Sequence, residues 1–313
     1  MHPVTVIVPN YNHAAFLGER LRSIQQQTFQ DFELIFLDDA SSDNSLKIAE
    51  AFAQKFPMRI VVNAVNSGTP FAQWNKGVEL AGGELVWIAE SDDVSDPRFL
   101  EKMVSTLREH PDAVLAYASS RRMDASGAIG LRVEDRYRSL HPEQWDRDFK
   151  GDGPETCRRY LCHSNIIANA SAVVFRRGVY QALGGADATF RYCGDWELWT
   201  RFLANASYAY VAEPLNFHRR HMDPIRSSPQ LERDMQEIIR IWEGLRRFPG
   251  LDAEQRESSA RIITAKTVSK VRQRRLDYSA ALRLLRRLRG GWVPGLGNFA
   301  MESLRQFRKT GWR

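Results

Sequence analysis

Four strand-length runs alternate with stretches of helical character over the first ninety residues, and this rhythm restricts the fold more than any other feature. The runs are residues 4–8, 32–37, 59–63 and 85–89; residues 14–27, 45–56 and 71–81 lie between them. Short, continuous apolar runs rich in Val, Ile and Leu suit strands buried on both faces, as in a parallel sheet. Strand–helix–strand repeats join parallel neighbours through right-handed crossovers. Cap chemistry agrees: Ser41, Ser42, Asp43 and Asn44 precede the second helical stretch. The class is therefore α/β.

Two of these runs end in acids. Residues 32–37 run into Asp38-Asp39, and residues 85–89 into Glu90-Ser91-Asp92-Asp93. Parallel strands put their carboxyl ends on one edge, where ligands bind in open α/β sheets. Three carboxylates within four residues repel one another. They fit a solvated turn, or a site for Mg²⁺ or Mn²⁺, which take hard oxygen ligands and keep open positions for phosphates. Neither GxxxxGK[ST] nor GxGxxG occurs, which disfavours a P-loop ATPase or a Rossmann dehydrogenase. Cys157, Cys162 and Cys193 form no CxxC pair and leave an odd count, so a disulfide framework or a zinc site is not expected. No signal peptide is read at the N-terminus, and no apolar stretch approaches a membrane span.

An ordered series of landmarks resembles glycosyltransferase family 2. It comprises residues 4–12, Gln27-Thr28-Phe29, residues 32–34, residues 38–43, Asn66-Ser67-Gly68, Trp74-Asn75-Lys76-Gly77 and residues 89–93, and the likeness extends over about residues 1–225. The resemblance implies a GT-A fold: an αβα sandwich around a central, mostly parallel mixed sheet. It also implies transfer of a sugar from a nucleotide-diphosphate donor with inversion, using Mn²⁺ or Mg²⁺. Matched to the family's motifs, Pro9, Tyr11 and Asn12 lie beside the base, and Asp39 contacts base or ribose. Asn66, Gly68 and Asn75 line the nucleotide pocket. Asp92 takes ribose or metal contacts and Asp93 the metal. The first position of the acidic motif is Glu90 where the family has Asp, one methylene longer.

Downstream, residues 97–110 read as a helix with Pro97 in its first turn and residues 113–119 as a strand. Residues 121–153 are polar and irregular; the resemblance makes them the acceptor region, with Tyr137 and Trp145 either stacking on a sugar or anchoring the loop. Leu198, Trp199, Phe202 and Leu203 form one helical face that Asp195 precedes. By propensity Asp195 is an N-cap; by resemblance it is the general base, with Gly194 standing where the family has Glu. Residues 211–214 read as a last strand. In the segment after it, Arg219 and His221 are candidates to face phosphate or metal, His221 as a metal ligand.

Charge divides the chain. Residues 226–313 carry 20 Lys and Arg against 9 Asp and Glu, while residues 1–225 carry 24 against 29. This sets a catalytic domain, 1–225, apart from a basic helical region, 226–313. Met235, Ile238, Ile239 and Trp242 keep a helical stripe, and Leu282, Leu284, Leu285 and Leu288 alternate with Arg283, Arg286, Arg287 and Arg289. Helices with a basic solvated face, docking on an anionic membrane surface, and nucleic-acid binding are the three readings. The last lacks a recognition motif and is not expected.

The expected protein is a cytoplasmic, metal-dependent inverting glycosyltransferase, with peripheral docking on the inner membrane face if the second reading of the tail holds. Its donor would be a nucleotide sugar, foremost a UDP-sugar. Its acceptor would be a glycan or a lipid-linked glycan of cell-surface polysaccharide synthesis. The rivals are a nucleotidyltransferase of similar fold and a noncatalytic partner of a glycan-synthesis enzyme.

Overall fold

The computed structural model describes residues 2–289 of the 313, apart from 139, 142, 168, 221–227, 246–250 and 274–275. The chain divides into two compact units. One comprises residues 1–154 and 166–222, the other residues 155–165 and 223–313.

The first unit is built on a mixed ten-stranded sheet flanked by helices, as the α/β reading requires. β1 (Val4–Asn10) lies between β2 (Phe32–Asp38) and β4 (Leu85–Ile88), with β3 (Arg59–Val62) at the edge beyond β2; these four run parallel. On the other side of β4 come β9 (Val173–Arg176), β6 (Ala113–Met123), β10 (Ser207–Arg219) and β5 (Val94–Ser95). β9 is antiparallel to both its neighbours, and β10 is parallel to β6. β7 (Ile129–Arg132) pairs antiparallel with β6, and β8 (Phe149–Asp152) with β10.

Every residue of β1 is buried, because helices cover the sheet there. Leu17, Leu21 and Ile24 of α1 (Ala14–Gln25) share a core with Val4, Val6 and Val8, joined by Phe99, Leu100 and Met103 of α4 (Phe99–Glu109). α2 (Ser45–Ala53) and α3 (Pro70–Leu80) follow the crossover rhythm. Thr69 caps α3, its hydroxyl accepting from Phe71 N at 3.4 Å, and Pro70 fills the first turn, where no N–H is needed. α5 (Gly153–Thr156) and the π-helical turn Cys157–Leu161 that continues it fall at the start of the segment 155–165 of the second unit, while α6 (Arg177–Ala182) and α7 (Gly194–Leu203) complete the first.

Two sequence expectations change here. The strand expected at residues 211–214 is the thirteen-residue β10, which takes in Phe217, His218 and Arg219 through pairing with β6 and β5. Residues 217–219 of that segment are therefore part of the sheet. Residues 94–95 form β5, so the following helix starts at Phe99.

In the second unit, α8 (Ser228–Leu245), α9 (Ala253–Arg272) and α10 (Tyr278–Arg289) share a core that includes Met235, Ile239, Trp242, Ile263, Leu284 and Leu285. A capping box joins Asp252 and Gln255 at the start of α9. Arg283 and Arg287 close two-point ion pairs with Glu232 and Glu243 of α8 at 2.8–2.9 Å, so part of the basic face is neutralised internally. The Leu288 and Arg289 side chains fall outside the described residues. Among the described residues, no helix is long and apolar enough to cross a membrane.

Candidate active site

The register places Asn10 beside Asp38 and Ile7 beside Ile88, so the carboxyl ends of β2 and β4 flank the end of β1. A cavity of about 430 Å³ opens there. Pro9, Asn10, Tyr11 and His13 wall it from the end of β1, and Asp39 from the end of β2. Asn66, Gly68, Thr69, Pro70 and Gln73 come from the approach to α3 and its first turn. Glu90 and Ser91 follow β4, and Arg191 precedes α7.

Asp39 is the hub of one wall of this cavity. Its carboxylate accepts from Asn63 Nδ2 at 2.6 Å, Ser67 N at 2.9 Å, Ser67 Oγ at 2.8 Å and Gln73 Nε2 at 2.8 Å. The Asn66 amide donates to the Asp39 carbonyl at 3.1 Å and accepts from Gly68 N at 2.8 Å, closing a turn in which Gly68 has φ +80°. Asp38 serves the turn itself, accepting from Asn10 Nδ2 at 3.1 Å and Ser41 N at 2.9 Å. The side-chain amide groups of Asn10 and Gln73 thus spend their N–H donors on carboxylates and on the Ser41 and Ser67 hydroxyls. Their buried carbonyl oxygens have no hydrogen-bond partner. Unpaired buried acceptors are costly, about 1–3 kcal/mol each, and they suit a ligand rich in O–H and N–H donors, as a nucleoside is.

Asn12 and Asn75 take other places. Asn12, at φ 56°, accepts from Ser42 N at 2.8 Å and ties the two strand-end loops together. Asn75 grips the turn before α7, donating to Ala186 O at 2.8 Å and accepting from Ala186 N at 2.9 Å and the Tyr180 hydroxyl at 2.6 Å.

The acidic turn divides its carboxylates. Glu90 accepts from Trp74 Nε1 at 2.8 Å; burial, and then the charge of Asp92, push its pKa up to about 8. Asp93, 2% exposed, accepts from Asn169 Nδ2 at 3.1 Å and Arg219 N at 2.8 Å, and burial followed by Asp92 holds it above the usual carboxylate range. Asp92, like Glu90, is half-buried by solvent exposure. Beneath them Arg20, fully buried, donates to Glu90 O at 2.9 Å and Ser95 Oγ at 2.8 Å and lies over the Trp87 ring at 4.9 Å. Burial draws its pKa down to about 10 against the pull of Asp93, Asp92 and Glu90.

Among the described residues, no three His, Cys, Asp or Glu side chains converge as a metal cage. With Glu90 protonated at neutral pH and Asp93 engaged inward, this donor set fits an ion held by Asp92 and shared with substrate phosphates, a common arrangement for Mg²⁺. His221 lies outside the described residues. Arg219 is 3% exposed, its guanidinium donating to Asp92 O at 2.7 Å, Asp124 O at 3.0 Å and Glu19 at 2.5 Å. It is committed to the protein rather than presented to a phosphate.

Asp195 occupies the first turn of α7 and is half-buried. It is not part of the cavity wall, whereas Arg191, four residues earlier, is. Its charge reaches the Tyr137 hydroxyl, whose pKa burial pushes up to about 12. The glycine before it has a steric cause: a Cβ on Gly194 would sit 2.5 Å from a ring carbon of Phe71. Glu197 is held by Arg201 at 2.7 and 2.8 Å. Tyr137 and Trp145 are each 3% exposed, their rings 5.5 Å apart, and they anchor their loop.

The cavity and its support also draw on His13, Gln73, Arg191 and Arg20, which no motif of the sequence marks. His13 meets Ser91 Oγ at 2.8 Å. Arg20 carries a legible signal: an arginine inside the apolar stripe of Leu17, Leu21 and Ile24. The others reach the site through loops or a helix start, where no periodicity marks them.

A sequence model of the family "Glycosyl transferase family 2" matches residues 5–183. A PGL/p-HBAD biosynthesis glycosyltransferase of Mycobacterium tuberculosis is 27% identical over 202 residues, 64% of this chain and 70% of its own length. EpsE of Bacillus subtilis is 30% identical over 211 residues, 66% of this chain and 69% of its own. Among solved structures, S. aureus TarS 1–349 in complex with UDP-GlcNAc has a TM-score of 0.62 at 20% identity, over 85% of this chain and 72% of that one. The mannosyltransferase PcManGT of Pyrobaculum calidifontis, in complex with GDP-Man and Mn²⁺, has a TM-score of 0.59 at 18% identity, over 96% and 84%. These structural likenesses are likenesses of fold, and the fold is GT-A.

Proposed function

The chain belongs to glycosyltransferase family 2, and from that premise we propose an inverting, metal-dependent glycosyltransferase that moves a sugar from a nucleotide-diphosphate donor to a hydroxyl of a glycan or lipid-linked acceptor. The observation that carries this reading is the cavity at the ends of β1, β2 and β4, where Pro9, Tyr11, Asp39, Asn66 and Gly68 come together. TarS in complex with UDP-GlcNAc supports a UDP-sugar as donor, and PcManGT with Mn²⁺ supports a divalent ion.

Tyr11, 49% exposed at the rim, is placed to cover a base, with Asp39 and the unpaired amide carbonyls of Asn10 and Gln73 accepting from the nucleoside. Asp92 would hold Mn²⁺ or Mg²⁺, which supplies charge neutralisation for the departing diphosphate. Asp195 is the base. It takes the acceptor hydroxyl's proton as that oxygen bonds to the anomeric carbon. The bond from that carbon to the diphosphate oxygen breaks, and its electron pair leaves with the nucleoside diphosphate. Asp195 lies in the first turn of α7, where the helix dipole favours the ionised form a base requires.

The positive excess of residues 226–313 supports peripheral docking on an anionic membrane as a route to a lipid-linked acceptor. Cell-surface polysaccharide synthesis in the cytoplasm is the setting this reading implies.

Calorimetric titration with nucleoside diphosphates, with and without Mn²⁺, tests the proposal. Metal-dependent binding of one of them, removed by Asp92→Ala, is the expected result. If none binds under any metal condition, the donor assignment fails.

A further inference from the structure

Arg20 is fully buried on the face of α1 that carries Leu17, Leu21 and Ile24. Burying a charge there costs stability, and well-packed apolar side chains of similar volume often match or improve on it. One of its nitrogens, Nη2, is buried without a hydrogen-bond partner. A buried donor left unpaired adds its own desolvation penalty. Packing of α1 alone therefore does not account for an arginine at this position.

What the guanidinium holds does account for it. Nε donates to Glu90 O at 2.9 Å and Nη1 to Ser95 Oγ at 2.8 Å, so one rigid group ties together the two ends of the acidic turn, residues 90–95. It rests over the ring of Trp87 at 4.9 Å, on the strand that leads into that turn. One acceptor is a backbone carbonyl and the other a hydroxyl. The charge of Arg20 attracts Asp93, Asp92 and Glu90, yet neither of these hydrogen bonds ends on a carboxylate oxygen. A cation placed in this way offsets the repulsion among the three acids without occupying the lone pairs that an ion would need. A lysine could supply the charge, but not the planar fork that spans both ends of the turn.

We propose that Arg20 is a positioning residue for the metal-dependent donor site: it fixes the acidic turn from below, so that Asp92 is already in place for the ion and the diphosphate. The proposal rests on the glycosyltransferase reading and adds to it a residue that is not part of the cavity wall.

The test compares Arg20→Met and Arg20→Lys with the wild type in the full chain. Uridine and UDP are titrated by calorimetry, each with and without Mn²⁺, and thermal unfolding checks that each variant is folded. Arg20→Met should keep its uridine affinity, because the wall around Asp39 is untouched. It should lose at least about tenfold of the gain in UDP affinity that Mn²⁺ gives the wild type, as the loss of a residue that orients a metal ligand does. Arg20→Lys should recover part of that gain. An equal Mn²⁺ gain in wild type and Arg20→Met overturns the proposal. So does a parallel fall in uridine and UDP affinity with the Mn²⁺ gain intact, the pattern of a purely structural role. If Arg20→Met does not fold, Arg20→Lys and Ser95→Ala decide by the same ratio, and a wild-type Mn²⁺ gain in both overturns it. A wild type whose UDP affinity gains nothing from Mn²⁺ removes the metal-dependent donor reading itself, and this proposal with it.

Discussion

The indole N–H of Trp74 donates to the carboxyl of Glu90 at 2.8 Å, across the wall of the cavity. Glu90 therefore stays in place as a mainly neutral acid, fixed by α3 and supported from below by Arg20. In the family's acidic motif this position is an Asp; here the longer side chain reaches a tryptophan.

Glu90 makes stability depend on pH in a stated direction. Its pKa is raised from 4.5 to about 8 in the folded chain, so between those values the folded state holds a proton that the unfolded state has released. This contribution weakens stability as pH rises from 4.5 towards 8. Glu90→Gln, whose amide oxygen still accepts from Trp74, should flatten that slope and raise the melting temperature at pH 8. Thermal unfolding at pH 5 and pH 8 decides it; an unchanged slope would contradict the burial argument.

Asp92 and Asp93 should separate experimentally. Asp93→Ala leaves the Asn169 amide and the Arg219 N–H without their acceptor, at about 1–3 kcal/mol of folding stability per unsatisfied group. Asp92→Ala should unfold at nearly the wild-type denaturant concentration yet lose the Mn²⁺ dependence of nucleotide binding. Denaturant titration and calorimetry on both variants give the comparison, and the reverse pattern would exchange the two roles.

Asp195→Asn should retain donor binding and lose transfer by roughly 10²–10⁴-fold, the usual worth of a positioned base. Donor affinity and turnover measured on one preparation distinguish this from a folding defect. Turnover at the wild-type rate would remove Asp195 from the mechanism.

Gly194→Ala should destabilise the chain by about 1–3 kcal/mol, because its Cβ would fall 2.5 Å from the Phe71 ring. Phe71→Leu in the same chain should recover part of that loss. Additive losses in a double-mutant cycle would show that the two positions do not share the space.

β1, β2 and β4 are legible in the sequence because buried parallel strands need little besides Val, Ile, Leu and Phe, whereas β3 is an exposed edge strand. β10 is less so: Glu213, Pro214, Asn216, His218 and Arg219 interrupt any apolar pattern, and the strand is specified by pairing with β6 and β5. Asn216 and Arg219 are buried polar residues whose partners, Ser120 and Asp92 among them, lie about a hundred or more positions away. The cavity is legible where motif residues sit at strand ends, as with Pro9, Tyr11 and Asp39. It is illegible at Arg191, which a loop delivers, and at Asn75, whose motif position conceals a structural clamp. The acidic turn reads from sequence as one cluster of carboxylates; only packing tells the inward Asp93 from the half-buried Asp92.

Arg219 also orders events in time. The family match ends at residue 183, yet the N–H that meets Asp93 and the guanidinium that meets Asp92 O arrive thirty-six residues later, on the last strand of the sheet. During synthesis the acidic turn leaves the ribosome well before its partner and must wait, with Asp93 lacking that N–H, until β10 inserts beside β6. Assembly of the catalytic edge is thereby tied to completion of the sheet, and a nascent chain that has emerged only as far as residue 183 carries the family's motif without a finished site.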